Sequence, residues 1–340
     1  MIRGVHAVAY KHLLRMSDST GLFEHAQGAV PRRDHGYCVD DVARGLVVLA
    51  REPQLDADLA RLVDRYLAFI SHAQIHTGAV HNRLGFERRW HDSAGTGDWW
   101  GRALWGLGTV AARGKHAWVR AEALSRFDIS VVHRSTSRRA MAFAGLGAAE
   151  VLSRHPEHRQ ARGLLAHAAK LIGRPRNDRQ WRWPEHRLFY ANAVLPEALL
   201  AAGQFLDDPS MVDDGLTMLA WLHAVESRDG HLSVTPAGGW SANDPRPGFD
   251  QQPIEVSTLA DAYMRAWAVS GDPMWIDATR MCIAWFAGDN DIGKPMMDPD
   301  TGGGFDGLGR TAPNLNQGAE STLALISTLQ YVPELEAIWT

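Results

Sequence analysis

Apolar residues recur along this chain three and four positions apart, and no stretch shows the two-residue alternation of a half-buried strand. The pattern predicts about twelve helices, over 4–16, 38–51, 55–73, 98–113, 116–132, 137–154, 157–173, 190–206, 209–226, 253–270, 273–288 and 318–332. Their ends coincide with stop signals at Pro53, Gly114, Pro156, Pro209 and the Gly271–Asp272–Pro273 break. Two classes alternate. Even-numbered segments are apolar nearly all round and rich in small residues, as in 140–152, 192–203 and 321–329. The third, fifth, seventh, ninth and eleventh are amphipathic. In 55–70, for instance, Leu59, Leu62, Val63, Tyr66, Leu67 and Ile70 form one stripe opposite charged residues. A helix apolar on all sides is buried on all sides, whereas an amphipathic one keeps a wet face.

Loop length alternates in step. Links after even segments are short (REPQLD, RGK, RHPE, SGDP). Links before most of them are long: 17–37, 74–97, 174–189, 227–252 and 289–317, with only the link before the sixth segment short. Short links fold each helix back on its neighbour, so the long loops all emerge beside the N-termini of the inner helices. The expected fold is all-α, a single (α/α)6 toroid over residues 1–340 with inner and outer rings. A helical solenoid is the alternative, but no repeated consensus relates the hairpins, and solenoids seldom carry such long, varied loops on one side.

Composition narrows the function. The chain has 340 residues, 45% of them hydrophobic, enough for one large core. Its net charge is −4 and its Arg pairs are scattered among acids, which excludes a nucleic-acid stripe. His6, Lys11 and His12 break the apolar stretch near the N-terminus, so no secretory signal is expected there. No window has the roughly 18 apolar residues of a membrane span. Cys38 and Cys282 lie far apart without metal-ligand spacing, suggesting free thiols and a cytoplasmic setting. Neither a metal nor a cofactor is implied. The 13 Trp against 10 Phe and 6 Tyr are unusual, and their positions matter because several fall in the long loops.

The loops hold the distinctive chemistry. The first ends in His35, Tyr37 and the pair Asp40–Asp41 at a helix start. The second ends in Asp98, Trp99, Trp100 and Arg102. A third stretch carries Trp183, Glu185, Tyr190 and Asn192, followed by Trp240, and Gln251 and Gln252 precede Glu255. The last holds Asp306, Asn316 and Gln317 before Glu320. Each acid, taken alone, has an explanation as a helix cap or a partner of the helix dipole. Together Asp40, Asp41, Asp98, Glu255 and Glu320 would rim one cavity, with flat aromatics and amides between them. Carboxylates, aromatic faces and amide donors are what sugar recognition and glycosidic chemistry require, one carboxyl protonating the leaving oxygen while another activates water or attacks. The glycine-rich 302–309 stretch lacks the strand and GK[ST] context of a phosphate loop.

The motifs HGYCVDDVARGL (35–46), GDWWGRALWGLG (97–108), YANAVLPEALLAAG (190–203), FDQQPIEV (249–256) and DGLG…NLNQGAEST (306–322) resemble a bacterial family of glycosidase-like (α/α)6-toroid proteins. Its members often occur fused to, or beside, group-1 glycosyltransferases. The resemblance covers nearly the whole chain and implies a toroid, a carbohydrate substrate and a possible glycosyltransferase partner. Val42 stands where Asn is common in the family, and Pro184 where an aromatic is common.

The expected function is a glycoside hydrolase, inverting rather than retaining by analogy with such toroids, with acid and base among Glu255, Glu320, Asp41, Asp40 and Asp98. Other readings are a phosphorylase binding phosphate through Arg102, Arg138 or Arg310, and an epimerase using His25, His35, His91 or His186. A further one is a non-catalytic carbohydrate-binding partner of a glycosyltransferase. Terpene cyclisation is disfavoured, because DDVAR lacks the third acid of a DDxxD site and CVDD the first acid of a DxDD site.

Overall fold

A computed structural model describes residues 8–338. In chain order its helices are α1 (Lys11–Arg15), α2 (Val39–Arg51), α3 (Ala57–Ala73), α4 (Asp98–Arg113), α5 (Ala117–Ser130), α6 (Arg138–Arg154) and α7 (Arg159–Ile172). They continue with α8 (Val194–Leu206), α9 (Pro209–Glu226), α10 (Pro253–Ser270), α11 (Met274–Ala287), α12 (Ala319–Leu329) and α13 (Val332–Ala337). The even helices α2 to α12 pack each against the next, and α12 returns to α2, which closes an inner ring. Helices α3, α5, α7, α9 and α11 each lie outside the inner helix that precedes them, while α1 packs against α12 and α13 against α11. This is an (α/α)6 toroid.

The two helix classes have the burial their patterns require. Every residue of α6 from Arg139 to Leu152 is buried, whereas α3 buries one stripe that includes Leu59, Leu62, Val63, Tyr66, Leu67 and Ile70. Inner helices approach closely where glycines face each other. A methyl group on Gly101 would collide with the Ala140 carbonyl, one on Gly108 with the Gly147 carbonyl, and one on Gly147 with the Leu104 carbonyl. Backbone rather than side chain is the neighbour at all three points, so α4 and α6 meet along a glycine seam.

Three boundaries differ most from the sequence reading. The first helix was expected over 4–16; residues 8–10 are not helical and α1 starts at Lys11, while 4–7 lie outside the described residues. The eighth starts at Val194 rather than 190, because Ala191 sits at φ 46° and its N–H and that of Asn192 donate to Glu255. The twelfth ends at Leu329, because Pro333 cannot donate to the carbonyl of Leu329; Pro333 instead sits in the first turn of α13, which starts at Val332. The loops also contain five two-residue strand pairs, too short to leave an alternating signature. They tie neighbouring loops together: Tyr37–Cys38 pairs with Arg83–Leu84, and Arg187–Leu188 with Trp240–Ser241.

Along the ring axis, α10 presents Ile254, Ser257, Thr258 and Asp261, and α12 presents Glu320, Leu323, Ala324 and Ser327. Both sets have the i, i+3, i+4, i+7 spacing of one helix face. They narrow the axis to a gap of about 30 Å³ walled by Val47, Val48, Trp105 and Phe143. Below it, Arg51 donates to both carboxylate oxygens of Asp261 at 2.9 and 3.1 Å. No helix of the described residues is long and apolar enough to cross a membrane.

Candidate active site

Above that neck, on the face bearing the long loops, lies a cavity of about 720 Å³. Helix N-termini supply its charged wall: Asp40, Asp41 and Arg44 from α2, Asp98, Trp99 and Arg102 from α4, and Glu320 and Ser321 from α12. Loops add Glu24, His25, Asn82, Arg83, Tyr190, Gln252, Asp306 and Asn314. The charged wall therefore comes from α12, α2 and α4, with Tyr190 before α8 and Gln252 at the N-cap of α10 completing the lining.

The first-turn acids on this wall do not act as caps. The N-cap positions of α2, α4 and α12 are Cys38, Gly97 and Gly318, none with a side-chain capping bond. The carboxylates instead meet side chains of other elements. Asp40 accepts from Arg102 at 2.7 Å and from the Asn82 amide at 3.3 Å. Arg44, one turn along α2, donates to Asp41 at 2.5 Å and to Glu320 at 2.6 Å, so one guanidinium holds both carboxylates. Asp98 accepts from the Ser137 hydroxyl at 2.9 Å, and Asp306 from the Gly318 N–H at 2.7 Å.

The two aspartates of α2 are driven apart electrostatically. Burial pushes the Asp41 carboxyl up; Arg44 opposes this, but Glu320 and Glu24 repel the charged form, and the result is about 7. Burial acts on Asp40 in the same sense, yet Arg102 and Arg44 outweigh it and hold that carboxyl below its ordinary range. Neighbouring carboxyls with opposite protonation near neutral pH are the arrangement acid–base catalysis needs. Burial also raises Asp306.

Glu24, Cys38 and Asp41 place one ligand atom each within 4.8 Å of one another, the spacing of a metal site. Arg83 and Arg44 already hold the two carboxylates, and burial raises the Cys38 thiol, which donates to Asp41 at 3.2 Å. A protonated thiol between two arginine-bound acids is a poor cation ligand set.

Of the residues singled out from the sequence, Asp40, Asp41, Asp98, Glu320, Trp99, Arg102, Tyr190, Gln252 and Asp306 line this cavity. The others lie elsewhere. Glu255 is buried behind the wall, its carboxylate accepting from the N–H groups of Ala191 and Asn192 and from the Asn192 amide; burial and the nearby Glu226 push it up to about 8. Trp183 is fully buried and donates to Glu185, which in turn is held by Arg139 at 3.0 Å. Trp181 packs edge-on against Trp221 and Trp240, with ring centroids 5.1 and 5.3 Å apart. That cluster fills the opposite half of the loop face, so several of the surplus tryptophans build a wall.

Trp100 and Tyr37 are core residues, the tyrosine hydroxyl donating to Asp18 at 2.7 Å. Gln251 is fully buried and accepts from the Trp285 indole, Gln317 bonds Asp298 and Thr301, and Asn316 accepts from the Gly28 N–H. His35 is exposed near the mouth, its ring 4.7 Å from that of His25. Arg44, Glu24, Asn82, Arg83 and Asn314 were not singled out from the sequence, whereas His25, named there as an epimerase candidate, lines the cavity. Arg44 had a signal, lying one turn beyond the Asp pair on the same helix; Asn82 and Glu24 reach the site only through loop folding.

Replacing Glu255 with Ala is expected to lower stability by about 2–4 kcal/mol, because three donors lose their acceptor in a buried place. Denaturant unfolding measures this. A residue acting on substrate would instead leave stability intact and remove activity.

No protein-family model matches the chain, and no curated protein does. Solved structures do. A sugar epimerase from a ruminal bacterium superposes with a TM-score of 0.71 at 12% identity, over 96% of this chain and 95% of the other. The cellobiose 2-epimerase of Bacillus thermoamylovorans gives 0.71 at 9% identity, covering 96% of each. The GH76 α-mannanase of Bacteroides thetaiotaomicron gives 0.65 at 10%, over 96% of this chain and 93% of that one. At such identities the similarity shows the fold, and the chain shares the (α/α)6 toroid of these proteins.

Proposed function

We propose that the protein is a glycoside hydrolase whose acid–base pair is Asp41 and Glu320. The observation that carries this reading is the single Arg44 guanidinium bound to both carboxylates at the wall of the cavity. Asp41 is the proton donor to the leaving oxygen, since burial keeps its carboxyl protonated close to neutrality. Glu320, with 39% of its side chain exposed, is the carboxylate that activates water. Two acids sharing one guanidinium have oxygens within about 7.5 Å of each other, inside the reach of glycosidase geometry. That bound admits both the retaining and the inverting separation, and inversion is preferred by analogy with such toroids. Trp99 and Tyr190 offer aromatic faces to sugar C–H groups.

Phosphorolysis has less support. Arg102 is bound by Asp40, Arg138 lies 3.7 Å from Glu185, and Arg310 sits over the Phe249 ring. An epimerase is the second reading, favoured by the His25–His35 contact and by the toroid shared with sugar epimerases. Both histidines lie at the mouth, not on the inner helices. A glycosyltransferase partner, implied by the motif resemblance, would build the glycan that this site trims.

Incubation with a glycan panel tests the two readings. Hydrolysis releases reducing ends, and the anomer first seen by proton NMR reports inversion or retention. Epimerisation in D₂O instead places deuterium on the sugar carbon without cleavage, and that result alone would sink the hydrolase reading. For hydrolysis, kcat is expected to fall as pH rises through about 7, where Asp41 loses the proton it must donate. A pH–rate profile flat from 6 to 8 would remove Asp41 from the acid role.

A further inference from the structure

The charge arrangement of the cavity points to a class of sugar. Six carboxyl groups line it, those of Glu24, Asp40, Asp98, Asp306 and Glu320 and the partly protonated Asp41, against the guanidinium groups of Arg44, Arg83 and Arg102 and the imidazole of His25. Every one of these arginines is already engaged: Arg83 with Glu24, Arg102 with Asp40, and Arg44 with Asp41 and Glu320. Asp98 accepts from the Ser137 hydroxyl, and Asp306 from the Gly318 N–H and the Ser321 side chain, so neither is paired with an arginine. Three helix N-termini face the cavity, and such ends ordinarily attract anions. Here each carries acids in its own first turn, which take up that field before any ligand arrives.

We propose that the inner part of the cavity accepts an uncharged sugar and rejects anionic ones, namely uronic acids and phosphorylated, sulfated or nucleotide-linked sugars. This rests on the reading of the cavity as the sugar site. An anionic substituent entering would meet like charges at short range, in a space partly withdrawn from water, and would find no cation without breaking an existing pair. A hydroxymethyl group at the same position meets acceptors it can donate to. An amine-bearing sugar meets a lining in which acids outnumber arginines.

The experiment is binding of methyl hexopyranosides and of the matching methyl hexuronides to the full chain at pH 7.5, by calorimetry and saturation-transfer NMR at low and high salt. The hexosides are expected to bind at least 30-fold more tightly than the uronides, with the gap closing as salt screens the cavity. Asp98→Asn combined with Asp306→Asn, which keeps both acceptor oxygens but removes two charges, is expected to narrow the gap at least tenfold. Equal affinity for the two classes, tighter binding of the uronides, or binding of neither class overturns the proposal. Hexoside binding without cleavage of any oligosaccharide would remove the hydrolase reading and leave this one standing.

Discussion

Glu320→Gln is expected to lower kcat on a cleavable glycan by about 10³-fold or more, while glycan affinity changes no more than about threefold. Glutamine keeps the shape and one acceptor of the glutamate but cannot take a proton from water. The side chain is 39% exposed, so removing its ion pair with Arg44 costs no more than about 1 kcal/mol and the fold survives. Asp41→Asn is expected to match it in kcat. Its product should also be most sensitive to the leaving group, since an aglycone that departs unprotonated needs no acid, and a nitrophenyl glycoside would recover much of the rate. Steady-state kinetics on the two variants with good and poor leaving groups separate the roles. If each variant keeps more than a tenth of the wild-type kcat on an alkyl glycoside, the acid–base assignment fails.

The second large effect lies in the fold. Gly147→Ala is expected to destabilise the protein by about 3 kcal/mol or more, or to abolish soluble expression, since the added methyl would push into the Leu104 carbonyl across the α4–α6 seam. Backbone cannot rotate aside as a side chain can, so the two helices must separate. Gly163 on α7 supplies the contrast. It is exposed, with no atom nearer than 4.0 Å to a built Cβ, so Gly163→Ala is expected to stabilise by about 0.5–1 kcal/mol through helix propensity. Urea unfolding of both variants measures the difference in sign.

The toroid was legible because its signals are local. Apolar breadth separates α6 from α3 within one helix length, and loop length needs only counting. The site was legible in part. Asp40, Asp41, Asp98 and Glu320 were visible because a first-turn acid on an inner helix has a fixed position relative to the loop face. The same logic placed Glu255 on the rim, and there it gave the wrong side: the loop at 189–192 folds over α10 and offers its N–H groups to that carboxylate. Whether a first-turn acid faces a cavity or a covering loop depends on contacts about 60 residues away in sequence, which local pattern does not encode. Trp183 and Trp240 illustrate the same gap, since an aromatic in a loop reads alike whether it meets a sugar or another indole.

The three helices that wall the cavity, α2, α4 and α12, come from opposite ends of the chain, and Arg44 reaches Glu320 across 276 positions. Hairpins of a toroid assemble from neighbours, but this contact forms only when the last hairpin meets the first, so its loop-closure entropy falls at the end of assembly. On the proposed reading of this cavity, activity would report completion of the ring. During refolding, helical signal should return ahead of turnover, and a nascent chain lacking only its final hairpin would carry most of its helices and no working centre.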